Sequence, residues 1–136
     1  MFELLLPLFL LVLFFLVLSI IWRINARKYI SSGTVASAYD AWTQDKLLER
    51  LWGEHIHLGF YPSGKKNIDF RKAKVQFVHE LVKWSGLDKL PQGSRILDVG
   101  CGIGGSSRIL AEYYGFNVTG ITISPAQVKR ARELTP

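Results

Sequence analysis

Glycines and one carboxylate are concentrated between residues 95 and 105, in the run Arg-Ile-Leu-Asp-Val-Gly-Cys-Gly-Ile-Gly-Gly. Because Gly100, Gly102 and Gly104 have no side chains, the backbone can approach a bound molecule closely and turn its amide groups toward it. The apolar residues before the glycines predict a strand, and the residues after them predict a helix. This arrangement indicates a loop that binds a nucleotide-containing cofactor.

Two nearby positions distinguish between the cofactors that such a loop can bind. Gly100, Gly102 and Gly105 satisfy G-x-G-x-x-G, a pattern that several cofactor classes share. A nicotinamide site expects a carboxylate about 20 residues further on, at the end of the second strand, but Thr122 stands there. Asp98, two residues before the first glycine, would repel a pyrophosphate and attract the ammonium of an amino-acid moiety. The pattern therefore favours a cofactor with an amino-acid moiety over NAD(P).

Three segments of the chain resemble one enzyme family. Residues 97–104, Leu-Asp-Val-Gly-Cys-Gly-Ile-Gly, are similar to motif I of the class I S-adenosylmethionine (SAM) methyltransferases. In residues 120–127, Gly-Ile-Thr-Ile-Ser-Pro-Ala-Gln, Thr122 replaces the usual Asp or Glu, as in the cyclopropane synthases and tocopherol-pathway methyltransferases. With Trp-Gly-Glu-His-Ile-His-Leu-Gly at 52–59, the chain most closely resembles the membrane-bound 2-methyl-6-phytyl-1,4-benzoquinone methyltransferases of tocopherol and plastoquinone synthesis. The resemblance extends from about Ser32 to the C-terminus.

The resemblance implies SAM as the cofactor and a prenylated benzoquinol as the substrate of a C-methyltransferase. It also implies the cofactor-binding residues, with Thr122 and Gln127 at the ribose hydroxyls. The full set is Asp98, Gly100, Cys101, Gly102, Gly104, Thr122, Ser124 and Gln127. Alternatives are a methyltransferase acting on a tocopherol, a sterol or an unsaturated acyl chain, and a membrane-tethered SAM-binding module without turnover.

His55 and His57 are the candidate catalytic residues. In an extended segment this spacing points both imidazoles to one side. His57 could approach the methionine end of SAM, or one ring could take a phenolic proton, since the ordinary pKa of imidazole permits proton transfer near neutrality. The alternative is a pair of hydrogen-bonded structural histidines. We expect no metal site, because too few further ligands can be placed.

The elements that position these residues predict an α/β, Rossmann-like fold. We expect strands at Arg95–Val99 and Asn117–Ile121, the first covered on both faces, with a helix between them and ligands at their carboxyl ends. Ser124 and Pro125 favour the start of a further helix.

Upstream, the periodicity predicts helices at Val35–Trp42, Asp45–Trp52 and Phe70 to about Ser85, the last capped by Asp69 and stopped by Gly86. Its predicted core face comprises Phe70, Ala73, Phe77, Val78, Leu81 and Val82. The resemblance implies that this helical region lies over the active site as a lid.

The first part of the chain predicts a membrane anchor. Leu4–Ile21 is eighteen residues long and contains no charged residue, which meets the length criterion for a transmembrane helix. Arg23, Arg27 and Lys28 follow it, so the positive-inside tendency places the N-terminus outside and the catalytic region on the cytoplasmic side. A cleaved signal peptide is the alternative, but the segment before the apolar run carries Glu3 and no Lys or Arg.

Net charge and cysteine content limit the possible partners and cross-links of the chain. The 136 residues carry a net charge of +6, with basic residues spread along the chain rather than in a nucleic-acid-binding stripe, so we expect no nucleic-acid partner. Cys101 is the single cysteine, so no internal disulfide forms.

We predict an anchor at 1–31, a lid and substrate region at 32–90 and the start of the SAM-binding domain at 91–136. Since the resembling sheet has seven strands and only two are predicted here, we expect the N-terminal part of a longer enzyme, inactive by itself.

Overall fold

The computed structural model describes residues 2–25, 31–64 and 67–136. Within them the chain divides into two compact units, Met1–Ala38 and Tyr39–Pro136. The helices and strands, in chain order, are α1 (Phe2–Asn25), α2 (Ser32–Gln44), α3 (Leu47–Trp52), α4 (Phe70–Ser85), a 3-10 helix (Leu87–Lys89), β1 (Arg95–Val99), α5 (Gly105–Tyr114), β2 (Asn117–Ile121) and α6 (Pro125–Leu134). The predicted divisions after residues 31 and 90 stay predictions.

Helix α1 makes up most of the first unit. Its large apolar side chains from Leu8 to Trp22 are 43% to 71% exposed. Taken over the described residues, none of the helices combines the length and the hydropathy that a membrane span requires. The predicted span thus gains no support from this finding, and the predicted flank at Arg27 and Lys28 lies outside the described residues.

In the second unit, β1 and β2 form a parallel pair joined through α5. Arg95 aligns with Asn117 and Val99 with Ile121, so both strands end at the same edge. The predicted bounds of both strands are confirmed, as is the α/β character of this region. The glycine loop and Thr122 therefore follow neighbouring strand ends, where open α/β sheets bind ligands.

Local capping chemistry sets the ends of helix α4 as predicted. The Asp69 side chain accepts hydrogen bonds from the backbone amides of Arg71 and Lys72, both at 3.0 Å. Gly86 follows with φ of 74°, a left-handed conformation that glycine adopts without a steric penalty. The cap signals in the sequence thus locate both ends of this helix.

The core lies on one side of the sheet, where α4 and α5 meet the strands. Its buried members are Val78, Val82, Ile109, Leu110 and Phe116, with Ile96 and Val118 packed against them from the strands. The predicted apolar face of α4 was too wide. Phe70, Phe77 and Leu81 are 39%, 36% and 47% exposed, because α5 and the strands contact only the narrower stripe that contains Val78 and Val82.

The expectation that β1 is covered on both faces was wrong for this structure. Ile96 is half-buried, whereas Leu97 and Val99 are 60% and 73% exposed. Successive side chains of a strand point to opposite faces, and within the described residues only the face bearing Ile96 packs against the core of α4 and α5.

Candidate cofactor site

A cavity of about 550 Å³ lies at the carboxyl ends of β1 and β2. It brings together eight of the ten predicted site residues: His55, His57, Asp98, Gly100, Cys101, Gly102, Thr122 and Gln127. Gly104 and Ser124 are the two that do not line it. The cavity lies wholly within the second unit, and its walls come from the loop before α4, the glycine loop and the turn after β2.

The glycine loop presents bare backbone to this cavity. Gly100 and Gly102 have φ of 81° and 58°, and a Cβ built on either would meet nothing within 4 Å. The amides of Gly100 and Cys101 donate to the Ile121 carbonyl at 2.8 and 3.0 Å, which fixes the loop to the end of β2. The open space beside Gly100 and Gly102 agrees with the close approach predicted from their lack of side chains.

Gly104 and Gly105 have a packing role. A Cβ on Gly104 would lie 2.9 Å from Arg108 Nη1, so that glycine faces the arginine rather than the cavity. A Cβ on Gly105 would lie 2.9 Å from the Glu54 carbonyl oxygen and equally close to the His55 ring. Because Gly105 has no Cβ, the segment bearing the histidines can lie directly on the start of α5.

Asp98 lines the cavity at the tip of β1. It is half-buried, and its Oδ2 accepts a hydrogen bond of 2.6 Å from the Ser107 hydroxyl on α5. A carboxylate offers about four lone-pair sites, so this one bond leaves the group able to accept from a ligand ammonium. Burial, followed by the charge of Asp98, raises the pKa of the Cys101 thiol beside it, which keeps that side chain neutral.

Thr122 and Gln127 form a hydrogen-bonded pair in another part of the cavity wall. The Thr122 hydroxyl donates to Gln127 Oε1 at 2.6 Å. Ser124, assigned to the cofactor by resemblance, is fully buried behind this wall, where its hydroxyl accepts from the Gln127 backbone amide at 3.1 Å. Ser124 is therefore the cap of α6, as its position before Pro125 predicted, and it does not contact the cavity.

His55 and His57 lie side by side at the rim of the cavity. His57 Nδ1 donates to the Leu58 carbonyl at 2.8 Å, because a carbonyl can only accept, and His57 Nε2 lies 3.2 Å from His55 Nδ1. When His57 Nε2 accepts in this contact, His55 carries its proton on Nδ1 and has its lone pair on Nε2. Burial, and then the neighbouring His57, lower the pKa of His55 to about 4.

Charged residues hold in place the histidine segment, which comprises residues 54–58 and bears both histidines. Lys74 of α4 is buried, and its Nζ donates to the carbonyls of Trp52 and His55 at 3.1 and 2.7 Å. Arg108 of α5 pairs with the Glu54 carboxylate and donates to the Ile103 carbonyl at 2.9 Å. The histidine segment is thus bonded to α4 and α5, and Arg108 links it to the glycine loop.

The sequence did not identify Tyr39 and Glu54 as cavity residues. Tyr39 falls within the helix predicted at Val35–Trp42, and its ring contacts Trp42 edge-on, with centroids 5.4 Å apart. Tyr39 also lines the cavity. That role depends on how its helix lies against the loops, which helical periodicity does not determine. Across the described ranges, no group of three or more His, Cys, Asp or Glu side chains could hold a metal ion.

Comparison with known proteins gives the family. Residues 65–135 match the family described as Mycolic acid cyclopropane synthetase. The 2-methyl-6-phytyl-1,4-hydroquinone methyltransferase of Synechocystis sp. (strain ATCC 27184 / PCC 6803 / Kazusa) is 62% identical over 116 residues, which are 85% of this chain and 36% of that protein. The chloroplastic tocopherol O-methyltransferase of Arabidopsis thaliana is 39% identical over 95 residues, 65% of this chain and 27% of that protein.

Among solved structures, the geranyl diphosphate C-methyltransferase from Streptomyces coelicolor A3(2) superposes with a TM-score of 0.55 at 20% identity, covering 79% of this chain and 44% of that one. At this identity the likeness shows the fold alone. The chain spans about a third of the length of the curated relatives. The family match covers more than half of the chain and includes the glycine loop, the Thr122–Gln127 pair and the strands that carry them, so the chain belongs to the mycolic acid cyclopropane synthetase family of SAM-dependent methyltransferases.

Proposed function

We propose that this protein is a C-methyltransferase that transfers a methyl group from SAM to a membrane-resident prenylated benzoquinol. The 62% identity to the Synechocystis 2-methyl-6-phytyl-1,4-hydroquinone methyltransferase supports this choice of substrate class. The observation that carries the proposal is the single cavity wall formed by Asp98, the glycine loop and the Thr122–Gln127 pair.

The cavity residues fit the chemical groups of SAM. A volume of about 550 Å³ lies within the range of roughly 300 to 1,000 Å³ that is usual for small-molecule sites. Asp98 offers a carboxylate for the ammonium group, and the open space beside Gly100 and Gly102 admits a ligand against the backbone. Thr122 and Gln127 supply hydroxyl and amide groups for the ribose hydroxyls.

When bound, SAM would supply an electrophilic methyl group and leave as the thioether S-adenosyl-L-homocysteine, while the methylated ring carbon gives up its hydrogen as a proton. The contribution of the chain is to place that ring carbon of the quinol in line with the methyl group. His55 lines the same cavity and stays neutral at physiological pH, since the pKa of its ring is lowered to about 4. A base this weak is a poor proton acceptor. We therefore propose that His55 orients a quinol hydroxyl by accepting its hydrogen bond at Nε2, so that full deprotonation of that hydroxyl is not required. His57, whose two ring nitrogens are already bonded, would hold the His55 ring in place.

We also propose that the N-terminal apolar segment, Leu4–Ile21, attaches the protein to the membrane as a single span, with the N-terminus outside and the catalytic region on the cytoplasmic side. The absence of charge in that segment and the basic residues after it support this proposal. An anchor would place the site beside a lipid-soluble substrate. Release of the intact protein from membranes by alkaline carbonate would contradict a membrane span.

Turnover tests the proposed activity directly. Membranes containing the full-length protein should transfer the labelled methyl group of SAM to 2-methyl-6-phytyl-1,4-hydroquinone, and the product should carry the label on a ring carbon. Transfer to a tocopherol, a sterol or an unsaturated acyl chain, with none to the quinol, would favour the alternative methyltransferases. SAM binding without transfer to any of them would favour a non-catalytic module.

A further inference from the structure

Asp40, on helix α2, contacts the first turn of α6 although 84 residues separate it from Ser124. Its Oδ1 accepts a hydrogen bond from the Ser124 hydroxyl and a second, of 3.0 Å, from the Ala126 backbone amide. The carboxylate therefore satisfies a backbone donor that a helix N-terminus leaves without an intrahelical partner. Asp40 does not line the cofactor cavity.

Two hydrogen bonds lead from Asp40 through Ser124 to the backbone of Gln127, whose side chain lies in the cavity wall. Because the Ser124 hydroxyl donates to Asp40, its oxygen lone pairs are directed to the backbone amide of Gln127, from which it accepts at 3.1 Å, and this bond fixes the first turn of α6 that carries the Gln127 side chain. The Gln127 side chain in turn accepts from the Thr122 hydroxyl at 2.6 Å. Ser124 is fully buried and Gln127 is 4% exposed, so water cannot easily replace these partners.

The bond from Thr122 determines which atoms the Gln127 side chain offers to the cavity, and the bonds from Asp40 and Ser124 determine where the turn that carries it lies. A Gln127 carboxamide that accepts through Oε1 keeps two N–H donors on Nε2, the type of group that a ribose hydroxyl oxygen accepts from. Without the Asp40 carboxylate, the buried Ser124 hydroxyl would lose its acceptor, and leaving a buried polar group unsatisfied is costly. The Ser124 hydroxyl would then turn to other acceptors, and the first turn of α6 would no longer be held in one position.

We propose that Asp40 is a positioning residue for the ribose end of the cofactor, acting through Ser124 and Gln127. The proposal rests on the SAM site proposed above. It also has a reciprocal consequence, because coupling between two sites acts equally in both directions. Cofactor binding beside Gln127 should strengthen the contact between Asp40 and α6, so that the backbone amides around Asp40 become better protected from hydrogen exchange when the cofactor is bound.

Glu49 provides a matched control. It lies on α3 and pairs with Arg130 of α6 through two hydrogen bonds, of 2.9 and 2.6 Å. This pair also ties an N-terminal helix to α6, but one turn further from the cavity, and it does not contact Ser124 or Gln127. Glu49→Gln therefore weakens the attachment of these helices to α6 without disturbing the chain of bonds that begins at Asp40.

The test is the affinity of the full-length protein for S-adenosyl-L-homocysteine, measured by titration calorimetry. Asp40→Ala should weaken binding about tenfold, the scale of one hydrogen bond to a charged group, and Asp40→Asn should restore part of the loss, because its carbonyl oxygen still accepts. In the background of Gln127→Ala, Asp40→Ala should have almost no further effect. Glu49→Gln should bind like the wild type.

Three results would overturn the proposal: wild-type affinity in Asp40→Ala, a loss in the double variant equal to the product of the single losses, or a loss in Glu49→Gln as large as that in Asp40→Ala. If Asp40→Ala does not fold, the same comparison made with Asp40→Asn, alone and with Gln127→Ala, decides between these outcomes. Failure of the wild type itself to bind would refute the cofactor site, which is a distinct result from a failure confined to Asp40.

Discussion

His55 shows how position in the fold changes the chemistry of a single side chain. Its ring is half-buried between the cavity and the Gly105 backbone, next to His57, Lys74 and Arg108, all of which oppose a positive charge, while Glu54 partly offsets them. The sequence alone suggested a ring that could titrate near neutrality. In the structure the neutral form dominates, so hydrogen bonding replaces proton transfer as the role that this ring is suited to.

The lowered pKa of His55 predicts an acid-dependent loss of stability. Below the ordinary pKa of 6.5 the unfolded chain takes up a proton on this ring, whereas the folded protein does so only near pH 4. The unfolded state thus binds more protons, and the free energy of unfolding falls as the pH is lowered between those values. Urea unfolding at several pH values should show a shallower decline for His55→Gln than for the wild type. Equal declines would contradict the assigned cause.

Gly59 predicts a second effect at the residue scale. A Cβ there would lie 2.6 Å from Ala73 Cβ and 3.0 Å from the Ala73 carbonyl carbon, so Gly59→Ala must push the histidine segment away from α4. We expect a loss of about 1 to 3 kcal/mol, the usual cost of overpacking, measured by urea unfolding. Gly33→Ala, whose nearest neighbour would be Ser31 Oγ at 3.6 Å, serves as the control and should leave stability unchanged or slightly raised.

At the scale of elements, both ends of α4 and the start of α6 could be predicted from the sequence because caps are local chemistry. Asp69, Gly86, Ser124 and Pro125 each act on a backbone only a few residues away. Asp69→Ala removes two accepted hydrogen bonds and should lower the free energy of unfolding by about 1 kcal/mol. Asp69→Asn, which can still cap the helix, should retain most of it. An unchanged midpoint of urea unfolding in Asp69→Ala would show that the cap adds nothing.

Contacts between distant elements could not be predicted from the sequence in this way. Asp40, Lys74 and Arg108 each bond to partners more than 15 residues away, apart from Arg108 with Ile103. No periodicity or cap pattern encodes such pairs, because they depend on how helices lie against loops. The glycine loop and the Thr122–Gln127 pair were predicted as ligand-binding because short motifs, and the family resemblance that they carry, identify them. The partner of Ser124 and the cavity role of Tyr39 were not predicted, because they depend on contacts between distant parts of the chain.

At the scale of the whole molecule, the cofactor wall is formed around the ends of two strands. Within the described residues β1 and β2 are paired only with each other, and Leu97 and Val99 are 60% and 73% exposed. The expectation that residues 1–136 do not turn over substrate by themselves stays a prediction. In the structure, the glycine loop, the turn after β2 and the histidine segment surround one cavity.

The central claim, that the glycine loop binds SAM, is tested most directly by comparing Gly102→Val with Gly93→Val in the full-length protein. Both glycines have positive φ, 58° and 82°, and a Cβ on either would meet nothing within 4 Å, but Gly102 alone lines the cavity. The backbone strain, about 1 to 2 kcal/mol for a left-handed residue, is therefore common to both variants. In calorimetric titrations with SAM, we predict an affinity near that of the wild type for Gly93→Val and a loss of at least about tenfold for Gly102→Val, the scale of a steric intrusion. Equal SAM affinities in the two variants would contradict the assignment of this loop.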